Sequence, residues 1–153
     1  MAIRMKAITE MKMSGKARSH ARTDIGVRDV EAIIDEPEAR GGTNKGLTPT
    51  ETQIAALVGC TNVITQRLAD RDGVEIGDLQ IEALTKFDRR GAALEDEIDL
   101  PFPEVTLEIT LATDASEAQL EKIKSDLGRY CPIAKMMRAA GTTITENWTA
   151  RPL

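Results

Sequence analysis

The strictest alternation of apolar and polar positions runs from Val105 to Leu111, where Val105, Leu107, Ile109 and Leu111 alternate with Thr106, Glu108 and Thr110. Successive side chains of a strand point to opposite faces, so this period of two predicts a half-buried strand. Weaker alternation predicts strands over Leu79–Phe87, with Leu79, Ile81 and Ala83 on one face, and over Thr142–Thr149, with Ile144 and Trp148 on one face. From Lys12 to Thr23 the alternation is of charge: Lys16, Arg18, His20 and Arg22 share one face, and Gly15, Ala17, Ser19 and Ala21 the other. Thr23-Asp24-Ile25-Gly26 then reads as a turn, and Val27–Ile34 as a returning strand stopped by Asp35-Glu36-Pro37. A glycine-rich loop fills residues 37–47.

Helix signals are sharper. Thr48 precedes Pro49 and stands three residues before Glu51, which is a capping box with proline at the first helical position. The helix should run to about Asp70, ahead of Asp72-Gly73. From Ile54 to Cys60 it is apolar nearly all round, which predicts burial on several sides and a subunit interface as a natural supplement. Asp114 and Glu117 suggest a second capping box, opening a helix with Leu120, Ile123, Leu127 and Tyr130 at helical spacing. Cys131-Pro132 interrupts it, since proline lacks the amide donor, and Ile133–Ala140 reads as a short further helix ended by Gly141. The predicted order is β-β-α-β-β-α-α-β. Strands arriving in adjacent pairs predict an α+β fold with a mainly antiparallel sheet rather than a doubly wound one. Between the two central strands, Arg89–Pro103 is a long acidic connection carrying Glu95, Asp96, Glu97 and Asp99.

Length and composition narrow the picture. The chain has 153 residues, enough for a single domain over 1–153. Its net charge of −5 argues against general nucleic-acid binding, and two Phe, one Tyr and one Trp leave no platforms for stacked bases. No apolar run is long enough to span a membrane, and Met1–Met13 shows cations without the apolar stretch of a secretory leader. The expected compartment is the cytoplasm. Its two cysteines, 71 positions apart, do not form a secreted disulfide framework.

Those cysteines are the candidate chemistry. Cys60 shares a helix face with Leu57 and Ile64, where a thiol behaves as a small hydrophobe unless a cation faces it. Cys131 precedes a proline at a helix start, where free amides and the helix dipole favour a thiolate. Arg18 and Arg22 are the candidate cations, since a guanidinium stays charged even when desolvated. Glu51 caps the helix, and nine residues place it about 13–14 Å from Cys60 along one helix at about 1.5 Å per residue. A bridging arginine, or a glutamate from another subunit, would be needed for any joint role. One histidine and two distant cysteines give no zinc spacing, so no metal or cofactor is expected. Gly41-Gly42-Thr43-Asn44-Lys45-Gly46 lacks the phosphate-loop pattern, and no serine stands out with a histidine and an acid.

Taken together, Asp35-Glu36-Pro37, Gly41-Gly42-Thr43 and Pro49-Thr50-Glu51 leading through Ala55-Ala56 to Gly59-Cys60, followed by Arg129-Tyr130-Cys131-Pro132, resemble the OsmC/Ohr family of hydroperoxide-reducing proteins. The resemblance covers Gly15 to Thr149. It implies an intertwined homodimer, with a long central helix carrying Cys60 and a second helical segment carrying Cys131. It further implies that Cys60 attacks the peroxide, that Cys131 resolves the product as a disulfide, and that a dithiol reductant reopens it. An arginine from the N-terminal strands would support the thiolate, Arg18 or Arg22, with Arg18 favoured by its distance from Cys60. A glutamate upstream of the first cysteine would help. In the best-characterised branches that glutamate lies ten residues before the cysteine, where this chain has Thr50; Glu51 matches a more divergent branch. The expected function is a thiol-dependent peroxidase for organic hydroperoxides. The alternative is a non-enzymatic dimeric module that binds a small apolar ligand or a partner protein.

Overall fold

The computed structural model describes residues 7–153. Residues 1–6, the first part of the stretch in which no leader is expected, lie outside the described residues. Two compact units divide the chain, Met1–Gln53 and Ile54–Leu153. The fold is mixed α+β, with three α-helices and two three-stranded sheets among the described residues.

The N-terminal unit holds a sheet of three antiparallel strands, β1 (Ser14–Ala17), β2 (Thr23–Val27) and β3 (Val30–Ile34). This differs from the pattern reading: the segment Thr23-Asp24-Ile25-Gly26, taken as a turn, is strand, and the turn lies at residues 18–22. The cause is local. Ser19 Oγ accepts hydrogen bonds from the amides of Ala21 and Arg22, and the Arg18 amide donates to the Arg22 carbonyl at 2.8 Å. Alternation of charge persists through such a turn because nothing apolar depends on the register. Only Lys16 of the four basic positions lies on a strand.

Beyond β3, the loop of residues 37–47 is organised around Asp35, which is fully buried. Its carboxylate accepts from the Thr43 hydroxyl at 2.6 Å and from the amides of Glu36, Thr43 and Lys45. The Thr43 hydroxyl leads in pulling the Asp35 pKa down to about 2, against the opposing effect of burial. A Cβ on Gly42 would overlap the Glu36 carbonyl, so this close turn requires glycine.

Helix α1 (Pro49–Asp72) opens with the predicted capping box: the Glu51 amide donates to Thr48 Oγ1, and the Thr48 amide donates to Glu51 Oε2 at 2.8 Å. In the C-terminal unit, β4 (Ile76–Lys86) pairs antiparallel with β5 (Glu104–Thr113), and β6 (Thr143–Arg151) lies parallel on the other side of β5. The inward residues of β5 are almost completely buried against α1, α2 (Glu117–Tyr130) and α3 (Pro132–Ala139), forming a core with Leu57, Leu68, Ile123, Leu127 and Met137. The cap of α2 is Ser116 with Gln119 rather than Asp114 with Glu117. Asp114 instead accepts from the Glu75 amide and ties the ends of β4 and β5 together. The acidic connection is built on a Phe87–Phe102 stack with ring centroids 5.1 Å apart, and Arg90 grips Asp88 and Asp96 within it.

Candidate functional site

Cys60 sits in the middle of α1, between Leu57 one turn before and Ile64 one turn after, and is half-buried. Cys131 occupies the junction of α2 and α3. The residue before a proline is kept out of the helical region, and Cys131 adopts φ −68°, ψ 109°. It therefore closes one helix and opens the next: its amide donates to the Leu127 carbonyl, its carbonyl accepts from the Lys135 amide, and its sulfur accepts from the Ala134 amide at 3.4 Å. Pro132 fills the position where a missing amide donor does no harm.

This junction brings the two thiols together. Cys131 Sγ donates a hydrogen bond to Cys60 Sγ at 3.0 Å, and both cysteines are free thiols. Burial is the largest influence, the hydrogen bond to Cys60 adds to it, and together they push the Cys131 thiol up to about 11 despite the Ala134 amide. At neutral pH Cys131 keeps its proton.

The other candidate residues stand in the N-terminal unit. Arg18 and Arg22 flank one carboxylate: Arg18 Nε meets Asp24 Oδ2 at 2.7 Å, and Arg22 Nε meets Asp24 Oδ1 at 2.8 Å. Asp24 is held below the usual carboxylate range, first by the hydrogen bond from Arg22 and then by that from Arg18. The sequence reading missed Asp24, although Arg22 and Asp24 are two apart and so share a face of an extended chain. Glu51 is engaged in its helix cap.

Two further features of the C-terminal unit were not foreseen. Arg71 joins Asp72 and Asp126, each at 2.7 Å, while Lys122 reaches Asp72 and Arg129 reaches Asp126. Asp126 is buried, and its pKa is lowered chiefly by the Arg71 hydrogen bond. No local spacing could signal a bridge across 55 positions. Ile64, Arg67, Leu68, Arg71 and Tyr130 line an open groove of about 410 Å³. Among the described residues no cluster of His, Cys, Asp and Glu could hold a metal ion, and no helix is long and apolar enough to cross a membrane.

The described site is thus two free thiols 3.0 Å apart, one on α1 and one at the α2–α3 junction. The family of OsmC-like proteins matches residues 42–147, and the chain belongs to that family. No curated protein sequence matches it significantly. Solved structures share the fold at low identity. An OsmC-like protein from Mycoplasma pneumoniae is 14% identical with a TM-score of 0.77, covering 93% of this chain and 97% of its own. The organic hydroperoxide resistance protein OsmC from Legionella pneumophila is 12% identical with a TM-score of 0.68, covering 94% and 99%. The organic hydroperoxide resistance protein OhrB of Bacillus subtilis is 19% identical with a TM-score of 0.60, covering 94% and 100%. Membership of this family supports a role in hydroperoxide chemistry.

Proposed function

We propose that the protein is a cysteine-based peroxidase that reduces organic hydroperoxides, with hydrogen peroxide as a further substrate. The observation that carries the reading is the 3.0 Å separation of the two sulfurs. In the first step the Cys60 thiolate attacks the terminal peroxide oxygen. The O–O bond breaks, the alcohol leaves after taking up a proton, and Cys60 becomes a sulfenic acid. In the second step the Cys131 sulfur attacks Cys60 Sγ. The hydroxyl leaves as water with the Cys131 proton, and a disulfide forms. A dithiol restores both thiols.

The proposed cation is Arg18 or Arg22 and the proposed carboxylate is Glu51; within this chain both arginines are paired with Asp24, so either would act on the thiolate only on leaving that carboxylate. The working unit is a homodimer in the cytoplasm. Exposed Ala55, Ala56, Gly59 and Val63 along α1 support a subunit interface there.

Intact mass after one equivalent of an organic hydroperoxide tests the reading. The wild type should lose two hydrogen atoms, Cys131→Ser should gain one oxygen, and Cys60→Ser should not change. An unchanged wild-type mass with both thiols open to alkylation removes the peroxidase. The groove beside Tyr130 favours a second reading, a module that binds a small apolar ligand. That reading expects saturable binding of such a ligand to survive replacement of both cysteines.

A further inference from the structure

Resting on the peroxidase reading, we infer that the external dithiol enters the oxidised protein through Cys60 alone, with Cys131 always the leaving sulfur. The two sulfurs of the Cys60–Cys131 disulfide are not equivalent. Cys131 is 0% exposed and belongs to the core cluster that includes Leu57, Leu127 and Ala134, whereas Cys60 is only partly buried. Thiol–disulfide exchange requires the attacking, central and leaving sulfurs to lie roughly in line, so the attacked sulfur must have an open back side. Cys60 is the less buried of the two residues. The Ala134 amide points at Cys131 Sγ at 3.4 Å and offsets part of the cost that burial places on the charge arriving there, so access to Cys60, not ease of departure, sets the route.

The electrons follow one route. A thiolate of the dithiol attacks Cys60 Sγ and forms a mixed disulfide. The Cys60–Cys131 bond breaks with its electron pair on Cys131, which takes a proton from solvent and becomes the buried thiol again. The second thiol of the reductant attacks the first, releases Cys60 as a thiolate and leaves as a cyclic disulfide. Two electrons pass from reductant to protein, and no covalent adduct forms on Cys131.

Exchange with dithiobis(nitrobenzoate) runs the same path backwards, so it reports the entry point without any peroxide. Reduced wild type should release two equivalents of nitrothiobenzoate per chain, the first as Cys60 is modified and the second as Cys131 closes the disulfide. Cys131→Ser should release one, and Cys60→Ser should react about tenfold more slowly or worse, as a buried thiol does. Equal rates for the two variants, with circular dichroism unchanged from wild type, would overturn the inference. Should Cys60→Ser not hold its fold, acid quenching of the wild type after the first phase decides by peptide mass: an adduct on Cys60 supports the route, and an adduct on Cys131 overturns it. A protein that shows this exchange pattern but is not oxidised by hydroperoxide keeps the entry route and loses the peroxidase.

Discussion

In the N-terminal unit all of β1 is exposed, and the most deeply buried side chain is a carboxylate, Asp35. In the C-terminal unit the largest fully buried side chains are aliphatic, from Leu57 through Leu107, Ile109 and Leu111 to Ile123 and Leu127, with Cys131 and threonines among them. The first is held by hydrogen bonds converging on one charge, and the second by apolar area removed from water. A polar hub depends on its protonation state and an aliphatic core does not, so the two units should fail under different insults.

The largest effect should come from the core. Leu57→Ala removes a side chain with no exposed surface, and urea unfolding should show a loss of about 2–5 kcal/mol. Amide exchange at Thr43 and Lys45 should be little changed in that variant; collapse of their protection would join what the comparison separates.

pH should divide the units next. The folded pKa of Asp35 lies below its ordinary value, so the unfolded chain binds the proton more tightly. Its stabilisation is present above pH 3.8 and lost as the pH falls toward about 2. Amides of Thr43 and Lys45 should therefore lose protection in that acid window. Cys131 has the opposite sign. Its folded pKa is raised, so its stabilisation is complete below the ordinary value of 9.0 and is lost as the pH rises through about 11. Thermal unfolding of the C-terminal core should weaken in that alkaline window, and Cys131→Ser should flatten the response.

Charge pairs should rank below these. Arg71→Gln breaks the link between Asp72 and the buried Asp126, and its unfolding midpoint should fall less than that of Leu57→Ala. Arg40→Gln removes an exposed pair with Glu36, and its effect on urea unfolding should stay within about 1 kcal/mol.

Much of the helical architecture was legible because its signals are local. Thr48, Pro49 and Glu51 announce α1 within four residues, and Cys131-Pro132 announces the helix junction through the missing amide donor alone. Strand β5 declared itself because one face is buried along its whole length, which fixes the period. The N-terminal strands were misplaced for the converse reason: with β1 exposed, no apolar face pinned the register, and Ser19 decided the turn instead. Cys60 and Cys131 could be named as candidates from their contexts, but their proximity depends on packing across 71 positions. The upward influence of burial on the Cys131 thiol was not legible, because helix-start amides are visible in a sequence and the depth of burial is not.

The placement of Cys131 between a helix end and a proline has a mechanical consequence. Its backbone is held from both sides, by the Leu127 carbonyl behind and the Pro132 ring ahead, and Cys60 is held within a helix, so in the proposed redox cycle the approach from 3.0 Å to a bond of about 2.05 Å falls to the two side chains. About one ångström of side-chain travel would then join the sulfurs of that proposed cycle without unwinding a turn of helix.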